Sequence, residues 1–290
     1  MRTTAIDTLV ARFLSTNTEQ LKQIICLGAG SDTRYFRFIT RSPSINLVYH
    51  ELDFPSNTTS KINTIKHTPA LSSAIHAPLS SPDDLRISSS GDSLYSSCYN
   101  IHPVDLRQLA ETSSLPNLPN LSSTTPTLIL SECCLCYLPP ETTVSILRTF
   151  SERLVPPPTP LALIIYEPIK PDDAFGRMMV SNLASRGIHL QTLHTYSTLA
   201  KQRTRLKEAG FSDGQEAADV DFLWENWITS EEKDRVSRCE MLDEIEEWKL
   251  LAGHYCVAWS CRGGGGGTAA TQVFDKAWKD LQGPVENSAG

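Results

Sequence analysis

Four clusters of residues have the types and spacing to hold a nucleotide-like ligand. The first is Gly28-Ala29-Gly30, which follows the apolar run Ile24-Ile25-Cys26-Leu27 and precedes the polar stretch Ser31-Asp32-Thr33-Arg34. Glycine has no Cβ, so the backbone can turn sharply there and pass close beneath a ligand. The second is the pair Glu51 and Asp53, at the end of the next apolar run. They lie about two dozen residues beyond Gly28, where an acid can accept both ribose hydroxyls of a nucleoside. Strand alternation puts the two carboxylates on one face, so the sequence leaves open which of them would do it.

The third cluster is Val104-Asp105-Leu106. Asp105 can accept from an adenine amino group while Leu106 lines the ring; an Asp before a helix is also a common N-cap. The fourth is Glu132, which interrupts the buried-looking run Leu128-Ile129-Leu130-Ser131. A buried carboxylate needs a partner or a ligand, so Glu132 is either a site residue or half of an ion pair. Tyr137 follows in the next loop and can face the ligand or fill the core.

A dinucleotide fingerprint needs a third small residue at the place of Thr33, which disfavours nicotinamide chemistry. No Ser/His/Asp or Cys/His set stands out. Cys133-Cys134-x-Cys136 has a metal-like outline, but the strand expected through Cys133 would point neighbours to opposite faces. No second pair follows at finger spacing either, so no metal is expected.

The elements that must position these residues follow from periodicity. Strands are expected at Ile24–Leu27, Ile45–Leu52, Cys98–Val104, Thr127–Cys133 and Leu161–Glu167, with later ones at Phe211–Trp224 and Gly253–Cys261. Helices are expected at Ala5–Phe13, Glu141–Leu154, Asp172–Arg186 and Ser197–Ala209. Alternation of this kind means an α/β fold with a mostly parallel sheet, helices on both faces and an antiparallel edge. Ser72–Ser97 and Thr112–Pro126 read as surface loops. Glu240–Leu251 has one apolar helix face, expected to dock on the sheet. Five glycines at 263–267 suggest that the domain spans residues 1–262 and that 263–290 is a disordered tail.

The chain has 290 residues, 40% of them hydrophobic and 20% charged, with a net charge of −7. That supplies a sizeable core and disfavours a nucleic-acid groove. No apolar run reaches the roughly 18 residues of a membrane span. Eight cysteines without a secretory signal fit reduced thiols and a cytoplasmic setting. The first fourteen residues read as an amphipathic helix packed on the domain rather than a targeting segment.

Taken together, these residues resemble the leucine carboxyl methyltransferases. The likeness runs through Leu-Gly-Ala-Gly-Ser-Asp-Thr-Arg-Tyr-Phe-Arg (27–37), His50–Pro55, Val104–Leu106 and Ser131–Pro140. It continues in Tyr166-Glu167-Pro168, Phe175-Gly176-Arg177-Met178-Met179 and His254-Tyr255-Cys256. The resemblance implies a Rossmann-like methyltransferase fold, S-adenosyl-L-methionine as cofactor, and the C-terminal leucine carboxylate of the type 2A protein phosphatase catalytic subunit as acceptor. It implies cofactor contacts from Arg2 (to the methionine carboxylate), Gly28, Asp53, Asp105, Leu106 and Glu132, and a substrate-facing role for Tyr137. It further implies a monomer whose partner is the phosphatase tail, with no nucleic acid or membrane. Family members carry a segment before the equivalent of Arg2, with a cofactor-contacting lysine and a lid. Met1 directly precedes Arg2 here, which points to a truncated product or a missing lid. A small-molecule O-methyltransferase and a non-catalytic phosphatase binder are the alternatives.

The implied reaction needs no catalytic acid or base. A C-terminal carboxylate has a pKa near 3.5 and is about 99.9% ionised near neutrality. The site has to align oxygen, methyl carbon and sulfur and keep water away, which can supply about 7–11 kcal/mol at the extreme.

Overall fold

The computed structural model describes residues 1–111, 114–239, 245–263 and 273–284. Helix α1 (Arg2–Ser15) buries Ile6, Leu9, Val10 and Phe13 completely, gathered on one face by their three- and four-residue spacing. Strand β1 (Lys22–Leu27) is buried along its whole length. Even Lys22 is inside. Its ammonium donates to the carbonyls of Leu14 at 2.9 Å, Thr16 and Asn17 at 3.2 Å, the open C-terminal end of α1. Burial lowers its pKa to about 8.

There follow α2 (Arg34–Arg41), β2 (Leu47–Asp53), α3 (Pro55–His67), α4 (Pro69–His76), β3 (Arg86–Ile87), β4 (Leu94–Tyr95) and β5 (Tyr99–Pro103). Then come β6 (Thr127–Glu132), α5 (Pro140–Thr149), β7 (Leu161–Pro168), α6 (Ala174–Ala184) and α7 (Leu199–Glu208). The chain continues through β8 (Asp213–Asp219), α8 (Val220–Trp227), α9 (Ser230–Cys239), α10 (Ile245–Ala252), β9 (Tyr255–Arg262) and α11 (Val273–Trp278).

The described strands form one sheet in the order β3-β4-β5-β2-β1-β6-β7-β9-β8. Its middle, from β5 to β7, is parallel; β9 lies antiparallel between β7 and β8. This is the expected α/β class with an antiparallel edge. Alternation divides the core in two: Ile24 and Cys26 pack with α1 on one face, Ile25 and Leu27 with α5 and α7 on the other. The chain leaves β1 toward β2 on one side and later returns to β6 on the other. A crevice therefore opens at the carboxyl end of β1. Among the described residues no helix is long and apolar enough to cross a membrane.

Several expectations are corrected. Phe211–Trp224 is not one strand, because Asp219 accepts from the Phe222 amide at 2.9 Å and caps α8 there. Ser72–Ser97 is not all loop: it holds the end of α4 and the β3–β4 hairpin, whose turn is made by Ser88 Oγ accepting from the amides of Asp92 and Ser93. The helix expected over 240–251 is observed as α10; residues 240–244 lie outside the described residues. It packs on α8 through Trp248 and Trp224, 5.3 Å apart, and places Ala252 and Trp248 against the core cluster that holds one face of the sheet. The fold does not end near Arg262. Within the segment expected to be disordered, Phe274 stacks on Phe13 at 4.8 Å and the Trp278 indole donates to the Leu9 carbonyl at 3.0 Å. Two aromatic side chains there cover the outer side of α1, which an isolated glycine count cannot foresee. Residues 264–272 and 285–290 lie outside the described residues.

Two polar pairs brace the carboxyl end of the sheet. Glu167 at the end of β7 meets Arg205 of α7 at 2.7 Å with both side chains buried, and Arg205 lies 4.3 Å over the Tyr196 ring. His254 Nε2 lies 2.9 Å from Asp173, which also accepts from the Gly176 amide at 2.7 Å. A Cβ on Gly176 would stand 2.0 Å from the Lys170 carbonyl oxygen, so only glycine lets α6 start there.

His50 on β2 and His102 on β5 bury their rings together, with nitrogens 3.0 Å apart. Burial, and for His50 the second ring, lowers their pKa values to about 3 and about 4. Unfolded histidine titrates near 6.5, so between the two ranges the unfolded chain binds more protons. The neutral pair's contribution is complete above about pH 6.5 and is lost as pH falls toward about 4. Urea unfolding across this range is expected to show stability falling with acid by up to about 1.4 kcal/mol per pH unit for each ring. A His50→Gln/His102→Gln variant should lose that slope; an unchanged slope would sink the assignment.

Candidate functional site

The site is built on the turn after β1. The Gly28 amide donates to the Leu52 carbonyl at 2.8 Å, which holds the turn against β2. Gly28 has φ +63°, and a Cβ there would lie 2.5 Å from Cys134 Sγ. Gly30, at φ +49°, donates its amide to Asp53 Oδ2 at 2.7 Å. Asp53 also accepts from the Phe54 amide at 2.7 Å and from Asn57 Nδ2 at 2.8 Å. Its carboxylate is therefore fixed in place before any ligand arrives.

Arg34, at the start of α2, is 2% exposed and spends all three arms on carboxylates. Nε meets Asp7 at 2.8 Å, Nη1 meets Asp32 at 2.7 Å and Nη2 meets Glu132 at 2.7 Å. Burial works against this charge, and the oxygens of Tyr49, Asp32 and Glu132 more than offset it, so the pKa lies above its ordinary value. Arg37 also pairs with Asp7. Arg2 lies at the far side of Glu132, with Nε 3.4 Å from its Oε2, and its guanidinium stands 5.5 Å over the Tyr166 ring.

Two cavities of about 260 and 270 Å³ adjoin at Gly28. The first is polar and holds Arg2, Ser31, Arg37 and Glu132. A guanidinium and a carboxylate side by side on the wall of a small polar space suit a zwitterion, with ammonium toward Glu132 and carboxylate toward Arg2. The second is largely apolar and holds Asp53, Val104, Asp105, Leu106, Cys134 and Tyr137. One fixed carboxylate above an apolar floor suits a ribose with a flat base.

All seven residues singled out in the sequence, Arg2, Gly28, Asp53, Asp105, Leu106, Glu132 and Tyr137, line one cavity or the other. The choice between Glu51 and Asp53 narrows on geometry. Glu51 is buried against Lys61, with its pKa raised by burial, whereas Asp53 lines the second cavity. Asp105 is the N-cap the sequence allowed, on the 3-10 turn Leu106–Ala110, and the residue also lines the second cavity. Hydrogen bonds from Arg107 lower its pKa. Glu132 likewise is both ion-pair partner and cavity wall. Tyr137 is 44% exposed at the mouth; burial, then Cys136, pushes its pKa up to about 12, so the phenol keeps its proton.

Sequence reasoning missed Arg34, Asp7 and Asn57. Arg34 and Asp32 were visible beside the glycines, as a polar helix start and within the family run 27–37, but neither was given a role in the site. Asp7, more than twenty residues upstream in α1, gave no local signal.

An alanine at position 28 should disturb both cavities. Gly28→Ala is expected to cost about 1–3 kcal/mol, from the left-handed backbone plus the clash with Cys134. Gly30→Ala should cost less, since a Cβ there meets nothing within 4 Å. Urea denaturation of the two variants checks the order; equal costs count against the packing argument.

The sequence profile of the leucine carboxyl methyltransferase family matches residues 1–151. A protein of Aspergillus fumigatus named leucine carboxyl methyltransferase 1 is 51% identical over 304 residues, covering 98% of this chain and 75% of that protein. The protein of the same name from Schizosaccharomyces pombe is 41% identical over 262 residues, covering 90% of this chain and 79% of its own length. A solved structure of a candidate methyltransferase from Thermobifida fusca superposes with a TM-score of 0.52 at 12% identity, covering 88% of this chain and 79% of that one, which speaks to the fold alone. With identity at this level over nearly its whole length, the chain belongs to the leucine carboxyl methyltransferase family.

Proposed function

We propose that this methyltransferase uses S-adenosyl-L-methionine to esterify the C-terminal leucine carboxylate of the type 2A protein phosphatase catalytic subunit. The observation that carries this reading is the pair of cavities joined at Gly28, in a chain of this family. The polar one matches a methionine moiety and the apolar one an adenosine. The glycine at their junction lets Cys134 pack directly beneath the turn, where a Cβ would collide with it.

Bound there, the cofactor supplies a methyl group on a positively charged sulfur. The chain's own residues bind and orient. Arg2 and Glu132 hold the zwitterionic end, Asp53 the ribose hydroxyls, and Asp105 with Leu106 the base. Tyr137 stays protonated at the mouth and donates to the incoming carboxylate. The acceptor is already ionised near neutrality, so no residue has to remove a proton. Binding and alignment carry the rate.

The test is transfer of labelled methyl from S-adenosylmethionine to purified phosphatase, intact and lacking its terminal leucine. Label in the intact protein alone is expected. Label in both would fit a different acceptor, and label in neither would fit a binder without turnover. Asp53→Asn should raise the cofactor Kd about 10–100-fold, as a charged hydrogen-bond partner is lost. The rate with saturating ligands should be flat between about pH 6 and 8. A single acidic or histidine variant that abolishes transfer with both ligands still bound would refute the absence of a catalytic acid or base.

A further inference from the structure

Two tyrosines beside the cleft have no part in the function above. Tyr166 on β7 is 8% exposed, and Tyr255 on β9 is partly buried. Tyr166 pairs with Val257 across the antiparallel ladder, so Tyr255 is its diagonal neighbour on the same face. Their rings stack at 5.5 Å with 13° between the planes. The Arg2 guanidinium lies over the Tyr166 ring, 5.5 Å from its centroid. Tyr166 itself is not among the residues that line either cavity.

We propose that Tyr166 is a positioning residue: its ring holds the Arg2 guanidinium at the edge of the polar cavity, and through Arg2 it sets the affinity for the amino-acid end of the cofactor. The role rests on the function proposed above and deepens it, by naming what holds one of its contacts.

Arg2 needs a holder. It is the first residue of α1, and its side chain is 51% exposed. Among the described residues no hydrogen bond fixes its guanidinium. Its ion pair with Glu132 Oε2 is 3.4 Å long, whereas Arg34 holds the other oxygen of that carboxylate at 2.7 Å. A long side chain left loose loses rotamer freedom when a ligand fixes it; holding it beforehand removes that cost from binding.

Glu132 alone cannot do this. The ligand's ammonium is to sit on Glu132, where Arg2 now reaches Oε2, so two cations would share one oxygen. The Tyr166 ring stands outside that competition. A ring face attracts a guanidinium through its quadrupole, without adding a negative charge that would repel the ligand's carboxylate. The ring is also fixed. The Tyr166 carbonyl accepts from the Cys133 amide at 2.8 Å, β7 is paired on both sides, and Tyr255 stacks on the ring. Burial raises the pKa of the Tyr166 phenol, so the hydroxyl stays neutral and the attraction comes from the ring face rather than from a phenolate.

The test is calorimetric binding of S-adenosylhomocysteine and of methylthioadenosine, which has the nucleoside but lacks the amino-acid end. Wild type is compared with Tyr166→Phe, Tyr166→Leu and Tyr166→trifluorophenylalanine, each checked for cooperative unfolding. Fluorination weakens the ring's quadrupole and keeps its shape, so that chain decides the matter even where Tyr166→Leu does not fold. Tyr166→Phe is expected to bind both ligands as wild type does. The fluorinated and Leu chains should bind S-adenosylhomocysteine about 3–30-fold more weakly, the range for a cation over a ring, and methylthioadenosine unchanged. In an Arg2→Gln background, Tyr166→Leu should add no further loss. Equal losses for the two ligands would mark a ring that only supports the fold and overturn the positioning role. Unchanged S-adenosylhomocysteine affinity in the fluorinated chain overturns it too. A Phe chain as weak as the fluorinated one does the same, because the hydroxyl would then carry the effect. A wild-type chain that binds neither ligand overturns the proposed cofactor, and the positioning role with it. A wild-type chain that binds both, beside variants that lose nothing, overturns the positioning role alone.

Discussion

The buried guanidinium of Arg34 is the interaction on which the rest of this structure depends. It joins Asp7 of α1, Asp32 of the glycine turn and Glu132 of β6, three elements far apart in sequence. A charge taken out of water is costly unless each donor finds an acceptor, and removing one member of such a group typically costs about 3–5 kcal/mol. The arrangement is therefore close to all-or-none. While it holds, α1 lies against the sheet with Arg2 at the edge of the cleft, and Glu132 faces both Arg34 and the polar cavity. The same carboxylate is at once structural partner and candidate ligand contact.

A second constraint works at the backbone. Gly28 must be left-handed and must lack a Cβ, because Cys134 from the loop after β6 occupies the space beneath it. The turn after β1 and the turn after β6 are packed as one object. This is the switch point of the sheet, where neighbours on either side diverge and leave room at the strand ends. Asp53, held by two amides and Asn57, closes the side toward β2. The two cavities differ in polarity because their walls come from different elements: α1 and α2 bring charge, while the segments after β5 and β6 bring Leu106, Val104 and the cysteines.

Much of the fold could be read locally. The apolar runs ending at Leu27, Leu52, Ser131 and Glu167 are nearly continuous, as strands buried on both faces must be, and each falls within a strand or ends with it. Reading failed where a strand turned directly into a helix at Asp219, where serines made a hairpin turn at Ser88, and where distant aromatics covered α1. In each case a polar side chain bonded the backbone, or a contact formed across most of the chain, and neither leaves a periodic trace. The motifs Tyr166-Glu167-Pro168 and His254-Tyr255-Cys256 are chiefly braces: Glu167 is locked to Arg205 and His254 to Asp173.

By itself the sequence determined the parallel strands at the centre of the sheet, the glycine turn and the acids at successive strand ends, because these depend on residue type and near-neighbour spacing. It also carried the family. Tertiary structure decided which carboxylate faces the cleft, since Glu51 and Asp53 share a strand face and only Lys61 and the Gly30 amide distinguish them. It decided that Glu132 serves two partners, Arg34 and Arg2. These outcomes depend on where a strand stops and which distant group arrives opposite it, and such distances are set by packing rather than by spacing along the chain.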